Sequence, residues 1–267
     1  MAVARDIDTM AELIDEGHVG RRCLDSSAFD IPDLATAYAV QESLTRRRLA
    51  RGDALVGWKL GYTTAVMRAH MGVDAPNFGP LLASMQVGPA LPPTIHPRVE
   101  PEIALVLDRD PGPHASAEEV LRCCRSAHLA LEVVDSVWWG YRFDLEHNTA
   151  DGSSAAGFAL GGPLPLDIDG TWDVSVVVGP ADAFDPGRAV EIPSDATGSA
   201  SMRAAAESAS WLATELASRP TRLAPGDILL TGGLTRAHAL PPYRNAVAVA
   251  RVGHRTTASV SLFGSAA

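Results

Sequence analysis

The sequence predicts an α+β protein whose β core is not doubly wound, preceded by a helical N-terminal arm. Three observations carry this. Short apolar runs of strand length recur from residue 53 onward with few helical patterns between them. The first 52 residues hold two consecutive helical patterns and no strand. No repeat, and no linker rich in Pro, Gly or Ser, divides the chain. We therefore expect residues 1–52 as an arm and residues 53–267 as a β-rich domain, together forming one structural unit. The 267 residues are 46% hydrophobic and 20% charged, a globular rather than a disordered composition.

In order, Met1 to Gly17 reads as an amphipathic helix with Ala11, Leu13 and Ile14 on its apolar side. A second helix follows Asp30-Ile31-Pro32, Asp30 capping and Pro32 in the first turn, and runs to about Arg51. Gly52-Asp53 breaks it. ALVGWKLGYT is a strand containing Lys59, and Thr63 caps a short helix, TTAVMRAHMG. The prolines and glycine of VDAPNFGPLLASM mark it as a loop. Val99 to Leu107 is a strand, DRDPGPHAS a loop, and Ser116 to Glu119 a capping box opening a helix to about Ser126. HLALEVVDS is a strand, followed by an irregular stretch from Trp138-Trp139. VSVVVG is a strand, Ser199 to Ser218 an Ala-rich helix, APGD a turn, and ILLTGG, AVAVARVG and TTASVSLF are strands.

Net charge is -10 and the pI is about 5.2. No basic face stands out beyond Arg46-Arg47-Arg48, read as a solvated helix end, so no nucleic-acid partner is expected. Cys23, Cys123 and Cys124 form no disulfide framework or metal spacing, which fits a reducing cytoplasmic setting. The N-terminus lacks a signal-type apolar core, and no uncharged run reaches the roughly 20 residues of a membrane span. There is no P-loop, G-x-G-x-x-G, G-x-S-x-G elbow or zinc-type His pattern.

Glu100-Pro101-Glu102, inside an apolar strand, is the sharpest signal. A period of two puts both acids on one face. Glu132 sits in the apolar run HLALEVVDS. Buried carboxylates need a positive partner, and a hard divalent cation with oxygen ligands supplies one. A solvated strand face is the alternative and the commoner fate of alternating acids. Lys59, in GWKLG, either points into a pocket, where it can bind a carboxylate or move a proton, or lies along an exposed sheet. Asp151 and Ser154, in ADGSS, either cap a turn or form a polar pocket floor. Thr231-Gly232-Gly233 permits close backbone approach, to a ligand or for a turn. Trp138-Trp139 suits a core or a subunit contact.

Taken in order, GWKLGYTTAVMRAHMGVDAPNFGPLLASM, VEPEIALVL, ALEVVDS, ADGSSAAGFALG and SWLATELASRPTRLAPGDILLTGGLT resemble the 2-keto-4-pentenoate hydratase / 4-oxalocrotonate decarboxylase family, within the fumarylacetoacetate hydrolase superfamily. The resemblance covers most of the chain. It implies a mixed β-roll or sandwich and a homo-oligomer. It implies Mg²⁺ or Mn²⁺ held by Glu100, Glu102 and Glu132. It implies a small 2-oxo-4-enoic acid as substrate, with Lys59, Asn77 and Ser154 as catalytic residues and Asp151 and Thr231 binding substrate. The activity implied is that of a lyase, a hydratase first and a decarboxylase as the alternative.

The sequence departs from the family at three points. Asn77 replaces the Asp of Pro-Asp-Phe-Gly and cannot usefully accept a proton. Val137 stands where Arg usually follows Asp-Ser, which removes a bidentate anchor. Gly152 stands where Asn is usual. Two further readings stay open. An acylpyruvate C–C hydrolase needs a His–Glu pair that is not evident, and a diverged partner subunit or biosynthetic enzyme would fit an altered site.

Overall fold

The computed structural model describes residues 6–88, 90–180, 196–252 and 255–264. Helices α1 (Ile7–Val19) and α2 (Leu34–Ala50) precede β1 (Leu55–Gly61), α3 (Ala65–Met71), β2 (Asn77–Leu82), β3 (Ala90–Leu91) and β4 (Arg98–Leu107). Then come α4 (Ala117–Arg122), β5 (Cys124–Val134), α5 (Leu145–Ala150), β6 (Ala155–Leu164), β7 (Thr171–Gly179) and β8 (Thr197–Ser201). The chain continues through α6 (Met202–Ala217), β9 (Ile228–Leu230), β10 (His238–Ala239), β11 (Asn245–Val252) and β12 (Arg255–Gly264).

The strands form two sheets. One runs β2-β1-β9-β4-β5-β6, with β10 also pairing β4; the other runs β3-β12-β11-β7-β8. The β1–β9 and β12–β3 pairs are parallel and the remaining pairs antiparallel, so both sheets are mixed. The main core lies between the sheets and under α6, built by the period-two apolar faces: Ile103 and Leu105 of β4, Leu129 and Leu131 of β5, Val174 and Val176 of β7. Alternation on β4 and β5 then fixes everything else. The odd residues of both strands fill this core, which turns Arg98, Glu100, Glu102 and Glu132 to the opposite face.

The arm is bound to the body. Met10, Ile14, Val40 and Leu44 of its helices cluster with Val137, Trp138 and Ala150. Gln41 donates from Nε2 to the carbonyls of Phe78 (2.9 Å) and Thr149 (2.7 Å). Of the arginines at the end of α2, Arg46 is exposed as expected, while others reach across to α1. Arg47 pairs with Glu12 at 3.0 Å, and Arg48 and Arg51 pair with the buried Asp15.

Several boundaries differ from expectation, each for a local reason. VDAPNFGPLLASM contains strand β2, because β2 is a sheet edge and Pro80 removes no needed ladder donor there. The caps of α2 and α3 are Asp33 and Thr64, one or more residues beyond Asp30 and Thr63. Helix α4 stops at Arg122, since β5 already begins at Cys124. Helix α6 starts at Met202, capped by Ser201, after strand β8. Residues 1–5 of the first expected helix lie outside the described residues. Trp138 is fully buried with its Nε1 donating to the His147 carbonyl, whereas Trp139 is exposed. The three cysteines are unpaired. Among the described residues, no helix is long and apolar enough to cross a membrane.

Candidate active site

Strand register brings the acids together. Glu100 of β4 lies directly across from Glu132 of β5, and Glu102 follows on the same face. One carboxylate oxygen from each falls within 4.8 Å of the others. Glu102 and Glu132 are buried and Glu100 is half-buried. The Gly232 N–H donates to Glu102 Oε2 at 2.9 Å, while Glu102 Oε1 and Glu132 Oε2 accept no hydrogen bond. Burial first, and then the charge of Glu132, pushes the Glu100 carboxyl up to about 7. Burial, followed by Glu132 and Glu100, raises Glu102 well above the usual range. Two buried oxygens without a partner, Glu102 Oε1 and Glu132 Oε2, in an all-carboxylate donor set fit a hard divalent cation.

Lys59 enters the same space from β1. Its neighbours Trp58 and Leu60 fill the main core, so alternation turns Lys59 to the acid face. Its Nζ lies 3.2 Å from Glu132 Oε1 and donates to the Ser153 carbonyl at 3.0 Å and the Ser153 hydroxyl at 3.3 Å. Burial acts most strongly on this lysine and against its charge. The carboxylates of Glu132, Glu100 and Glu102 outweigh it, and its pKa stands above the ordinary value.

Ser153 and Ser154 follow Asp151 in a turn of three consecutive left-handed residues, Gly152 (φ 85), Ser153 (φ 58) and Ser154 (φ 57). Two non-glycine residues there are strained, and the surroundings hold them. Asp151 accepts from the Ser154 N–H at 2.7 Å and from Ser136 Oγ at 3.2 Å. Burial, the largest influence, pushes its carboxyl up to about 7. Asn77 Nδ2 donates to Asn148 Oδ1 and to Thr149 Oγ1, both at 3.0 Å, and Asn77 Oδ1 accepts from Ser153 Oγ at 3.1 Å. Asn148 Nδ2 donates to Ser154 Oγ at 3.0 Å, and Tyr62 donates to Asn148 Oδ1 at 3.0 Å.

These groups border a cavity of about 600 Å³. Lys59, Glu100 and Ser154 lie on its wall, with Glu102 and Glu132 beneath. Asn77, Asp151 and Thr231 are buried and are not among the wall residues. The Thr231 hydroxyl donates to the Ile103 carbonyl at 2.9 Å instead of facing the cavity. Val137 is also off the wall, packed in the arm cluster. Sequence reasoning missed Arg98, Tyr62, Asn148 and Ser153. Arg98 was reachable by extending the period of two back from Glu100. Asn148 was hidden because α5 was read as irregular, although Asp144, which caps it at 2.9 Å, was a helix-start signal.

Two packed mixed sheets with helices at the periphery give the fold of the fumarylacetoacetate hydrolase type, and the carboxylate triad beside a buried lysine at its cavity is a donor set that fits a divalent cation. No protein-family model matches the chain. Individual proteins do. It is 39% identical over 212 residues to 2-keto-4-pentenoate hydratase 1 of Dechloromonas aromatica (strain RCB), covering 76% of this chain and 77% of that one. It is 32% identical over 245 residues to 4-oxalocrotonate decarboxylase of Pseudomonas sp. (strain CF600), covering 88% and 89%. The structure of 4-oxalocrotonate decarboxylase from Pseudomonas putida G7, complexed with magnesium and adipate, superposes with a TM-score of 0.81 at 27% identity over 97% of each chain. A yeast fumarylacetoacetate hydrolase family protein shares the fold alone, at a TM-score of 0.53 and 14% identity over 78% of this chain and 92% of that one. The chain belongs to the 2-keto-4-pentenoate hydratase / 4-oxalocrotonate decarboxylase family of lyases.

Proposed function

We propose that the protein is a Mg²⁺- or Mn²⁺-dependent lyase acting on a 2-oxo-4-enoic acid, with hydration as the first reading. The observation that carries it is the convergence of Glu100, Glu102 and Glu132 within 4.8 Å, with Glu102 Oε1 and Glu132 Oε2 lacking a partner. These residues would hold the ion, which when bound supplies Lewis-acid polarisation of the substrate's 2-oxo group.

The chain's own groups do the rest. Lys59 contacts the substrate carboxylate or enol oxygen and moves a proton there; its Ser153 partners fix the ammonium's direction. Ser154 Oγ, oriented by Asn148, offers its proton to the substrate's anionic end. Asn77 is a positioning residue: it acts through Ser153 and Asn148, which between them aim Lys59 and Ser154. Asp151 holds the left-handed turn, and Thr231 anchors the segment whose next residue donates to Glu102. The homo-oligomer implied by family likeness belongs to the same reading, and sedimentation tests it.

Likeness to the hydratases supports adding water across the enoic double bond. Decarboxylation is the second reading, favoured by Asn77, whose amide cannot take the proton that the usual Asp can. Loss of the oxo-enoate absorbance in the presence of Mg²⁺, abolished in Glu102→Ala, is the expected result. Mass spectrometry of the product then separates gain of water from loss of CO₂. Full activity after exhaustive chelation overturns the proposal.

A further inference from the structure

Gln41 is a buried carboxamide on a helix face that is otherwise apolar. Ala37, Val40 and Leu44 of α2 are buried beside it and pack into the arm cluster. Packing alone would be served by an apolar side chain of the same length, because a buried amide must find partners for its donors. Gln41 finds two. Its Nε2 donates to the Phe78 carbonyl of the edge strand β2 and to the Thr149 carbonyl of α5. One planar group on the arm thus ties β2 to α5.

Those two points adjoin the hydrogen-bond network behind the cavity. Phe78 follows Asn77, and Thr149 follows Asn148. Asn77 Nδ2 donates to Asn148 Oδ1 and to Thr149 Oγ1, both at 3.0 Å, so the strand and helix that Gln41 joins are also joined one residue away. Asn77 Oδ1 accepts from Ser153 Oγ at 3.1 Å. Ser153 is in turn the residue whose carbonyl and hydroxyl take the Lys59 ammonium. The path has no slack. Gly79 lies too close to the Gly152 carbonyl, and Gly61 too close to Asn77 Oδ1, to admit a Cβ at either. In so close-packed a place β2 cannot shift without carrying Asn77 and the Ser153 turn with it.

Lys59 is held from two sides, by Ser153 and by Glu132 Oε1 at 3.2 Å. A displaced Ser153 turn would let the ammonium lean toward the carboxylates and away from the cavity, since their attraction is then unopposed.

We infer that Gln41, which lies off the cavity wall, is a positioning residue for Lys59, so that the helical arm is a working part of the active site. The inference rests on the lyase reading for the task of Lys59. The direction of the ammonium does not depend on that reading.

The test reads Lys59 directly. It is the only lysine in the sequence, so nitrogen NMR on protein grown with isotope-labelled lysine gives a single Nζ resonance, and no turnover is needed. Three proteins are compared, each in EDTA and with Mg²⁺. Beside the wild type stand Gln41→Met, which keeps the length and loses both donors, and Val40→Ala, which loosens the arm cluster and removes no hydrogen bond. Gln41→Met should move the Nζ resonance and speed exchange of its protons at least about fivefold. On a 2-oxo-4-enoic acid its kcat should fall about ten- to hundredfold while KM stays within about threefold, because a misdirected acid–base group is felt in the chemical step and the carboxylate cluster is untouched. Val40→Ala should lower Tm, leave the resonance in place and keep kcat within about twofold. Should Gln41→Met not fold, Gln41→Glu, of the same size with one donor at most, is expected to shift the resonance and kcat in the same direction. An unchanged Nζ resonance or an unchanged kcat in the folded Gln41 variant overturns the inference and leaves the lyase reading standing. Equal changes in Val40→Ala overturn it too, since they are the mark of an arm that only supports the fold. Absence of turnover by the wild type removes the lyase reading, and the Nζ comparison still decides the role of Gln41.

Discussion

Replacing Glu102 with Gln should shift stability in opposite directions with and without metal. Gln keeps the shape and an oxygen for the Gly232 N–H, which now lies 2.9 Å from Glu102 Oε2. It removes one of three mutually repelling carboxylates. At 4.8 Å, the limit on the ligand-atom separations, two unit charges in an effective dielectric of about 20 repel by about 3.5 kcal/mol. Because 4.8 Å is the largest separation, closer approach strengthens this repulsion, and Glu102 faces two acids, Glu132 and Glu100. Burial and the neighbouring acids already favour the protonated form of Glu102, so much of the repulsion is relieved before the substitution. The metal-free variant should therefore be as stable as the wild type or more so, by the order of a few kcal/mol at most. The wild type at a Mg²⁺ concentration about 100 times its Kd gains about 2.7 kcal/mol. For a chain of this size that is a rise of roughly 5–10 °C in Tm. Glu102→Gln should lose most of that rise. Thermal melts in EDTA and along a Mg²⁺ series check both halves. A variant markedly less stable in EDTA that keeps the full Mg²⁺ response would show that Glu102 is a structural acid and not a ligand.

The same burial sets a pH dependence. Glu100 and Asp151 are pushed up to about 7, so the folded chain holds these protons more tightly than the unfolded one. Their contribution to stability is present below their unfolded values and is lost as pH rises through about 7; metal-free melts should fall between pH 5 and 8 by the order of a few kcal/mol, and saturating Mg²⁺ should flatten the slope. Gly233→Ala puts a Cβ 2.6 Å from Glu100 Oε2, so Mg²⁺ affinity by calorimetry should fall while melts in EDTA change little. Lys59→Met leaves Glu132 buried without its cation, and should cost about 3–5 kcal/mol in EDTA, less with Mg²⁺, with activity lost in both. Asn77→Asp replaces a donor that serves Asn148 and Thr149 with an acceptor, so the new acid must keep its proton; denaturant melts should show about 1–3 kcal/mol of destabilisation, larger at pH 8 than at pH 5.

What could be read in advance was whatever depends on periodicity. Alternation alone put Glu100 and Glu102 on one face, and the apolar odd residues of β4 and β5 explain why that face is turned from the main core. What could not be read was pairing across the sheet. Nothing local says that Glu132 lies opposite Glu100, or that Lys59 on β1 reaches them across β9. Short-range rules also misjudged elements whose context overrides composition. Pro80 marks a breaker anywhere except an edge strand, and β2 is an edge. Of the arginine run in α2, Arg46 is solvated as read, whereas Arg47 and Arg48 meet Glu12 and Asp15 of α1.

The three departures from the family pattern are not equivalent once backbone and packing are considered. Gly152 is left-handed with nothing within 4 Å of where a Cβ would stand. Asn, after Gly, is among the residues that adopt that conformation most readily, so the exchange preserves the turn that carries Ser153 and Ser154. Val137 packs among the arm residues and off the cavity wall, with its Cγ2 so near Gly17 that a Cβ there would stand 2.6 Å away. Its side chain bears on how the arm seats. Asn77 alone touches the groups that touch the cavity. Its amide fixes a donor toward Asn148 and an acceptor toward Ser153, an arrangement that a carboxylate could reproduce only when protonated. On the lyase reading proposed above, the departure nearest the chemistry is therefore the one in the hydrogen-bond network behind Lys59, and its part there is to set direction rather than to carry a proton.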